Sequence, residues 1–158
     1  MKEIFKSSMR TFIKRPGIEG LIEWLESTDF FEAPASAKYH GAYPEGLINH
    51  SMNVFNRLTR KRLDFPEGTT METAAIISLL HDVCKADFYK PETIIYQQGQ
   101  QAIKYGYDNK LPIGHGEKSV ILIQKHMYLT DEEIIAISWH MGAFDDRVKG
   151  GSRELSQV

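Results

Sequence analysis

Four histidines and one aspartate define the chemistry this chain can do. His81 and Asp82 stand side by side at the end of the apolar run Ala74-Ala75-Ile76-Ile77-Ser78-Leu79-Leu80. Burying an ionised carboxylate is costly unless it is paired or binds a metal. With ~3.6 residues per turn, adjacent side chains leave a helix about 100° apart, so the two can reach one ion from neighbouring directions. A helix C-terminus also favours a cation. His50 lies three residues after Leu47 and four before Val54, on an apolar stripe. His140 follows Ile137 by three, and His115 opens a helix between Gly114 and Gly116. Any one of these alone is more often a satisfied core histidine than a ligand. Together they are three helices that each deliver an inward imidazole near one end, one of them adding a carboxylate. Neutral imidazole with carboxylate suits Zn, Mn, Fe, Co or Ni. The set lacks thiolates, which argues against a closed structural zinc site. His126 has no such context and reads as a surface residue.

The elements that must position these side chains are mostly helical. Ile4, Phe5, Met9, Phe12 and Ile13 recur at helical spacing and predict a helix over 2–14, ended by Pro16 and Gly17. A second helix runs from Ile18 to about Ser27, and 29–45 reads as a loop. Gly46 to about Arg60 is a third, its basic end suiting the helix dipole. Thr69 with Glu72 predicts a capping box before the helix that ends at His81. The β-branched and aromatic residues of 93–107 predict a hairpin turning at Gln98-Gly99-Gln100. Gly114 to about Met127 is helical again. Thr130 with Glu133 predicts a second capping box, opening a helix through Met141 that Gly142 ends. The expected fold is therefore all-α, a bundle of about six helices with one small inserted hairpin.

With 158 residues, one domain over 1–158 is expected, its core about 36–146 and 147–158 a loose tail. A net charge of -2 gives no reason to expect strong general affinity for nucleic acid. One cysteine excludes an intrachain disulfide and fits a reducing compartment. No stretch approaches the ~20 apolar residues of a membrane span, and charges at Glu3, Lys6, Arg10, Lys14 and Arg15 interrupt any signal-peptide core. A cytoplasmic protein is expected. No serine sits in a GxSxG elbow, which sets a Ser/His hydrolase aside.

His50 followed by His81-Asp82 thirty-one residues later resembles the HD-domain superfamily of metal-dependent phosphohydrolases. Tyr43-Pro44-Glu45-Gly46-Leu47-Ile48-Asn49-His50-Ser51 resembles the approach to that superfamily's first ligand histidine. His81-Asp82-Val83-Cys84-Lys85 is similar to its HDxxK form. Gly114-His115-Gly116-Glu117-Lys118-Ser119 and Trp139-His140-Met141-Gly142 match further histidine positions, so the resemblance covers about 36–146. It implies an HD-like helical fold around a divalent transition metal. It also implies hydrolysis of a phosphomonoester or phosphodiester, commonly of a nucleotide or a nucleic-acid end.

By that resemblance His50, His81 and Asp82 hold the first ion. His115 and His140 bind a second ion or touch substrate phosphate, and Lys85 faces phosphate beside the catalytic Asp82. The superfamily's last ligand is an aspartate, usually on a further helix; Asp145 is the expected stand-in here and Asp146 the alternate. His40 and Tyr43, with Tyr39, are candidates to shape a pocket for a base or sugar, and the hairpin is expected beside its mouth. The expected partner is a phosphorylated small molecule or nucleotide. If the last carboxylate is missing, the expectation becomes a catalytically impaired metal- or nucleotide-binding module.

Overall fold

Phe5, Met9 and Ile13 all turn inward from the first helix and are at most 1% exposed. The computed structural model describes residues 1–64, 68–95, 101–109, 111 and 113–142. Helix α1 (Lys2–Phe12) is followed by α2 (Ile18–Glu26), α3 (Gly46–Asp64) and α4 (Met71–Leu80). A single 3-10 turn (Val83–Lys85) leads into strands β1 (Tyr89–Ile95) and β2 (Gln101–Tyr107). Helices α5 (His115–Gln124) and α6 (Asp131–Ser138) complete the described chain.

Helix α4 is the axis of the fold. It packs against α1, α3 and α6. It is apolar nearly all round, and seven of its ten residues are buried, the pattern of a helix surrounded by others. Its N-cap is Thr70, whose hydroxyl accepts from the Thr73 amide at 3.0 Å. The capping box expected at Thr69 and Glu72 is corrected to a single side-chain cap one residue later. Once Thr70 is the cap, the third helical position is Thr73, and Glu72 is released to accept from the Lys14 amide at 2.7 Å. Thr69 donates instead to Glu132 at 2.8 Å.

The all-α expectation is corrected: among the described residues six helices are accompanied by a two-stranded antiparallel sheet inserted between α4 and α5, so the architecture is mixed. The strands pair from Tyr89↔Tyr107 to Ile95↔Gln101, beginning four residues before the expected start at Thr93. Pro91 lies within β1. In a two-stranded sheet both strands are edges, where a residue without an N–H is tolerated. Phe88, Tyr89 and Tyr105 bury one another in a small cluster separate from the main core. The expected turn at Gln98-Gly99-Gln100 and the expected tail at 147–158 lie outside the described residues.

At α6 the box of Thr130 and Glu133 forms as expected, each side chain bonding the other's amide. Glu133 is fully buried and also takes both arms of Arg15, at 2.6 and 3.0 Å. That pair ties the α1–α2 corner to the helix that precedes the last histidine. Helix α6 ends at Ser138, short of the expected Met141. The chain then turns through Trp139 to Gly142, whose amide donates to the Trp139 carbonyl at 2.9 Å and whose φ is +51°. Helix α5 lies against both α6 and the 3-10 turn. Gly116 permits this approach, because a Cβ there would fall on the carbonyl oxygens of Ile137 and Ser138. Among the described residues no helix is long and apolar enough to cross a membrane.

Candidate metal centre

His50 projects from the second turn of α3, His81 caps the C-terminus of α4, and Asp82 begins the 3-10 turn that ends at Lys85. One ligand atom from each of His50, His81 and Asp82 lies within 4.8 Å of the other two. The Nε2 atoms of His50 and His81 are 3.0 Å apart, and they stand 3.5 and 3.3 Å from Asp82 Oδ2. Two nitrogens bound tetrahedrally at ~2.05 Å to one zinc would be roughly 3.3 Å apart. His140, in the turn after α6, brings its Nε2 to 3.4 Å from Asp82 Oδ1.

Backbone carbonyls decide which ring nitrogens are free. His81 Nδ1 contacts the Ser78 carbonyl at 3.0 Å, and His140 Nδ1 contacts that of Ile137 at 2.7 Å. A carbonyl can only accept, so each Nδ1 carries a proton, and each ring turns its Nε2 toward Asp82. Asp82 Oδ1 and His140 Nε2 are both buried and have no hydrogen-bond partner. A divalent cation among these groups would give both atoms the partner they lack. Anchoring of Nδ1 by a carbonyl is also the usual support of a metal-bound histidine. The donor set therefore fits a divalent ion.

Charge agrees with geometry. Burial pushes the Asp82 carboxyl up, but His81, His140 and Lys85 outweigh it and hold the group well below its usual range. Lys85 Nζ touches Asp82 Oδ2 at 2.7 Å and is itself buried. Burial lowers His50 to about 4 and lowers His115 too, which leaves both rings neutral near pH 7. For His140 burial acts downward, but Asp82 more than compensates and the value rises. Cys84 is driven up to about 12, by burial and then by Asp82. It therefore stays a thiol at neutral pH.

These groups face a cavity of about 450 Å3. His40 lies on its wall, its ring 5.5 Å from that of His50, and Tyr39 lies there too. His115, the first residue of α5, lines the same cavity with a buried Nδ1 that has no hydrogen-bond partner. Tyr43 is half exposed and is not on the wall. Asp145 and Asp146 lie outside the described residues. His126, expected at the surface, stacks on Trp24 with ring centroids 5.5 Å apart.

Two contributors are absent from the sequence reading. Tyr89 of β1 lines the cavity, its hydroxyl pushed up to about 12 by burial and then by Asp82. Only its place just beyond Lys85 could have marked it. Ser119 is fully buried, and its hydroxyl accepts from the Cys84 amide at 3.2 Å, pinning the 3-10 turn to α5. It lies one helical turn after His115, a spacing that puts both on one face. No family model, no curated protein and no solved structure matches this chain.

Proposed function

We propose that this chain is a metal-dependent phosphohydrolase that holds its ion through His50, His81 and Asp82 and cleaves a phosphate ester in the cavity they face. The observation that carries this reading is the convergence of carbonyl-anchored imidazoles on one buried carboxylate, with a lysine touching that same carboxylate. A purely structural ion site has no need of an open cavity or of an added cation. The ion would be Zn, Mn, Fe, Co or Ni; a second one would use His115 and His140. When bound, it supplies Lewis acidity toward a phosphoryl oxygen and acidifies water.

The chain's own groups do the rest. Asp82 supplies the negative charge that the neutral imidazoles lack. His81, His140 and Lys85 together keep Asp82 ionised, and Lys85 adds a positive charge at the cavity wall, where it offsets charge on phosphoryl oxygens. His115 lines the cavity and its Nδ1 has no hydrogen-bond partner, and the N-terminal end of α5 favours the same anion. The buried, free Cys84 accords with a reducing cytoplasm.

The test is metal content after desalting, followed by hydrolysis of aryl phosphate mono- and diesters and a nucleotide panel. Wild type is expected to retain at least one equivalent and to turn over one ester class, and His81→Ala to lose both. A full equivalent retained by His81→Ala would put the ion elsewhere. Metal retained without turnover of any ester would leave a binding module.

A further inference from the structure

A second cavity, of about 380 Å3, opens beside the first and shares Tyr39, Tyr89 and His115 with it. Phe88 and Tyr107 add two further aromatic rings to its wall. Phe88 and Tyr107 stack with centroids 5.7 Å apart and planes 7° from parallel. Tyr89 stands edge-on to Phe88 at 5.0 Å. The register Tyr89↔Tyr107 sets these two on the same face of the hairpin. Tyr107 is 71% exposed and Tyr39 77%, so two large rings stand uncovered around one opening. Lys38 and Asn109 add polar groups to that wall. An aromatic slot with hydrogen-bonding groups suits a flat heterocycle, which offers a π-face to the rings and heteroatoms to the polar groups. His115 belongs to both cavities and marks the passage from slot to metal centre.

We propose that the cavity between Tyr39 and Tyr107 is the subsite for a nucleobase, the planar end of the ester whose phosphate is cleaved beside His50, His81 and Asp82. The assignment of the ester rests on the phosphohydrolase reading; binding of the ring itself does not.

The experiment therefore separates the two. Adenosine, guanosine, cytidine and uridine, which carry no phosphate, are titrated without added metal into wild type, Tyr107→Ala, Tyr107→Phe and Tyr39→Ala. Binding is followed by saturation-transfer NMR and by tyrosine fluorescence. At least one nucleoside is expected to bind. Tyr107→Ala should weaken it about tenfold, within the range measured for base–aromatic stacking, and Tyr107→Phe should restore it. In turnover, the ratio of kcat/KM for that nucleoside's monophosphate to that for a ring-free alkyl phosphate should fall about tenfold in Tyr107→Ala. Tyr39→Ala, on a separate loop, carries the same expectation if Tyr107→Ala fails to fold. Failure of all four nucleosides to bind, or equal binding by wild type and both alanine variants, overturns the subsite. Nucleoside binding that depends on Tyr107, with no ester hydrolysed, upholds the subsite and removes the phosphohydrolase reading instead.

Discussion

Lys85 and a bound ion compete for the same carboxylate. Its ammonium lies 2.7 Å from Asp82 Oδ2, in a buried position where charges are weakly screened. Removing that charge should strengthen metal binding while it weakens the hold on a phosphoryl group. Lys85→Gln is therefore expected to bind the metal on the order of tenfold more tightly and to turn over on the order of 100-fold more slowly. Chelator competition measures the first effect and steady-state kinetics the second. Weaker metal binding in this variant would mean that the lysine orients the carboxylate rather than opposing the cation.

Among the elements, the approach of α5 to α6 decides whether His115 and His140 face one cavity. Gly116 allows it, since the α6 carbonyls of Ile137 and Ser138 occupy the space a side chain would need. Gly116→Ala must push the helices apart. The cost should be about 2 kcal/mol, or roughly 6 °C in melting midpoint for a chain of this size, followed by calorimetry. An unchanged midpoint would mean that α5 shifts freely and does not position His115. The hairpin is coupled differently. Its buried residues form their own cluster, so it decorates the bundle and shapes the mouth without carrying the core.

At the scale of the whole molecule, Arg15 and Glu133 hold the two ends of the described chain together. Burial pushes the Glu133 carboxyl up, but Arg15 and the Thr130 amide outweigh it, so its folded value lies below the ordinary 4.5. Between those two values the unfolded chain binds a proton that the folded chain refuses. The resulting stability is complete above pH 4.5 and is lost as the pH falls through the folded value. Glu133→Gln is expected to cost about 2 kcal/mol at neutral pH, because it removes the charged partner of two short hydrogen bonds and leaves Arg15 to the longer Glu72 pair at 3.4 Å. Its melting midpoint should also fall less steeply than wild type below pH 4.5. Parallel acid limbs in the two proteins would show that this pair does not govern acid unfolding.

Local patterns were legible wherever one segment decides its own state. The inward faces of α1 and α2, the Thr130–Glu133 box and the pairing of the two β-rich segments follow from periodicity, capping chemistry and β-propensity in short windows. The residue types of the metal group were legible for the same reason, as imidazoles on apolar stripes and a carboxylate at a helix end. Distances were not. That His50 and His81 meet at 3.0 Å while Tyr43 stays off the wall depends on how α3, α4 and the 29–45 loop pack. Packing likewise decided that Glu72 leaves its own helix for Lys14, and that Tyr89 lines the cavity. Periodicity reports which face of a segment avoids water. Only the tertiary structure, where segments far apart in sequence share one cavity, determines which side chains on those faces converge and which carbonyl fixes the proton on each ring.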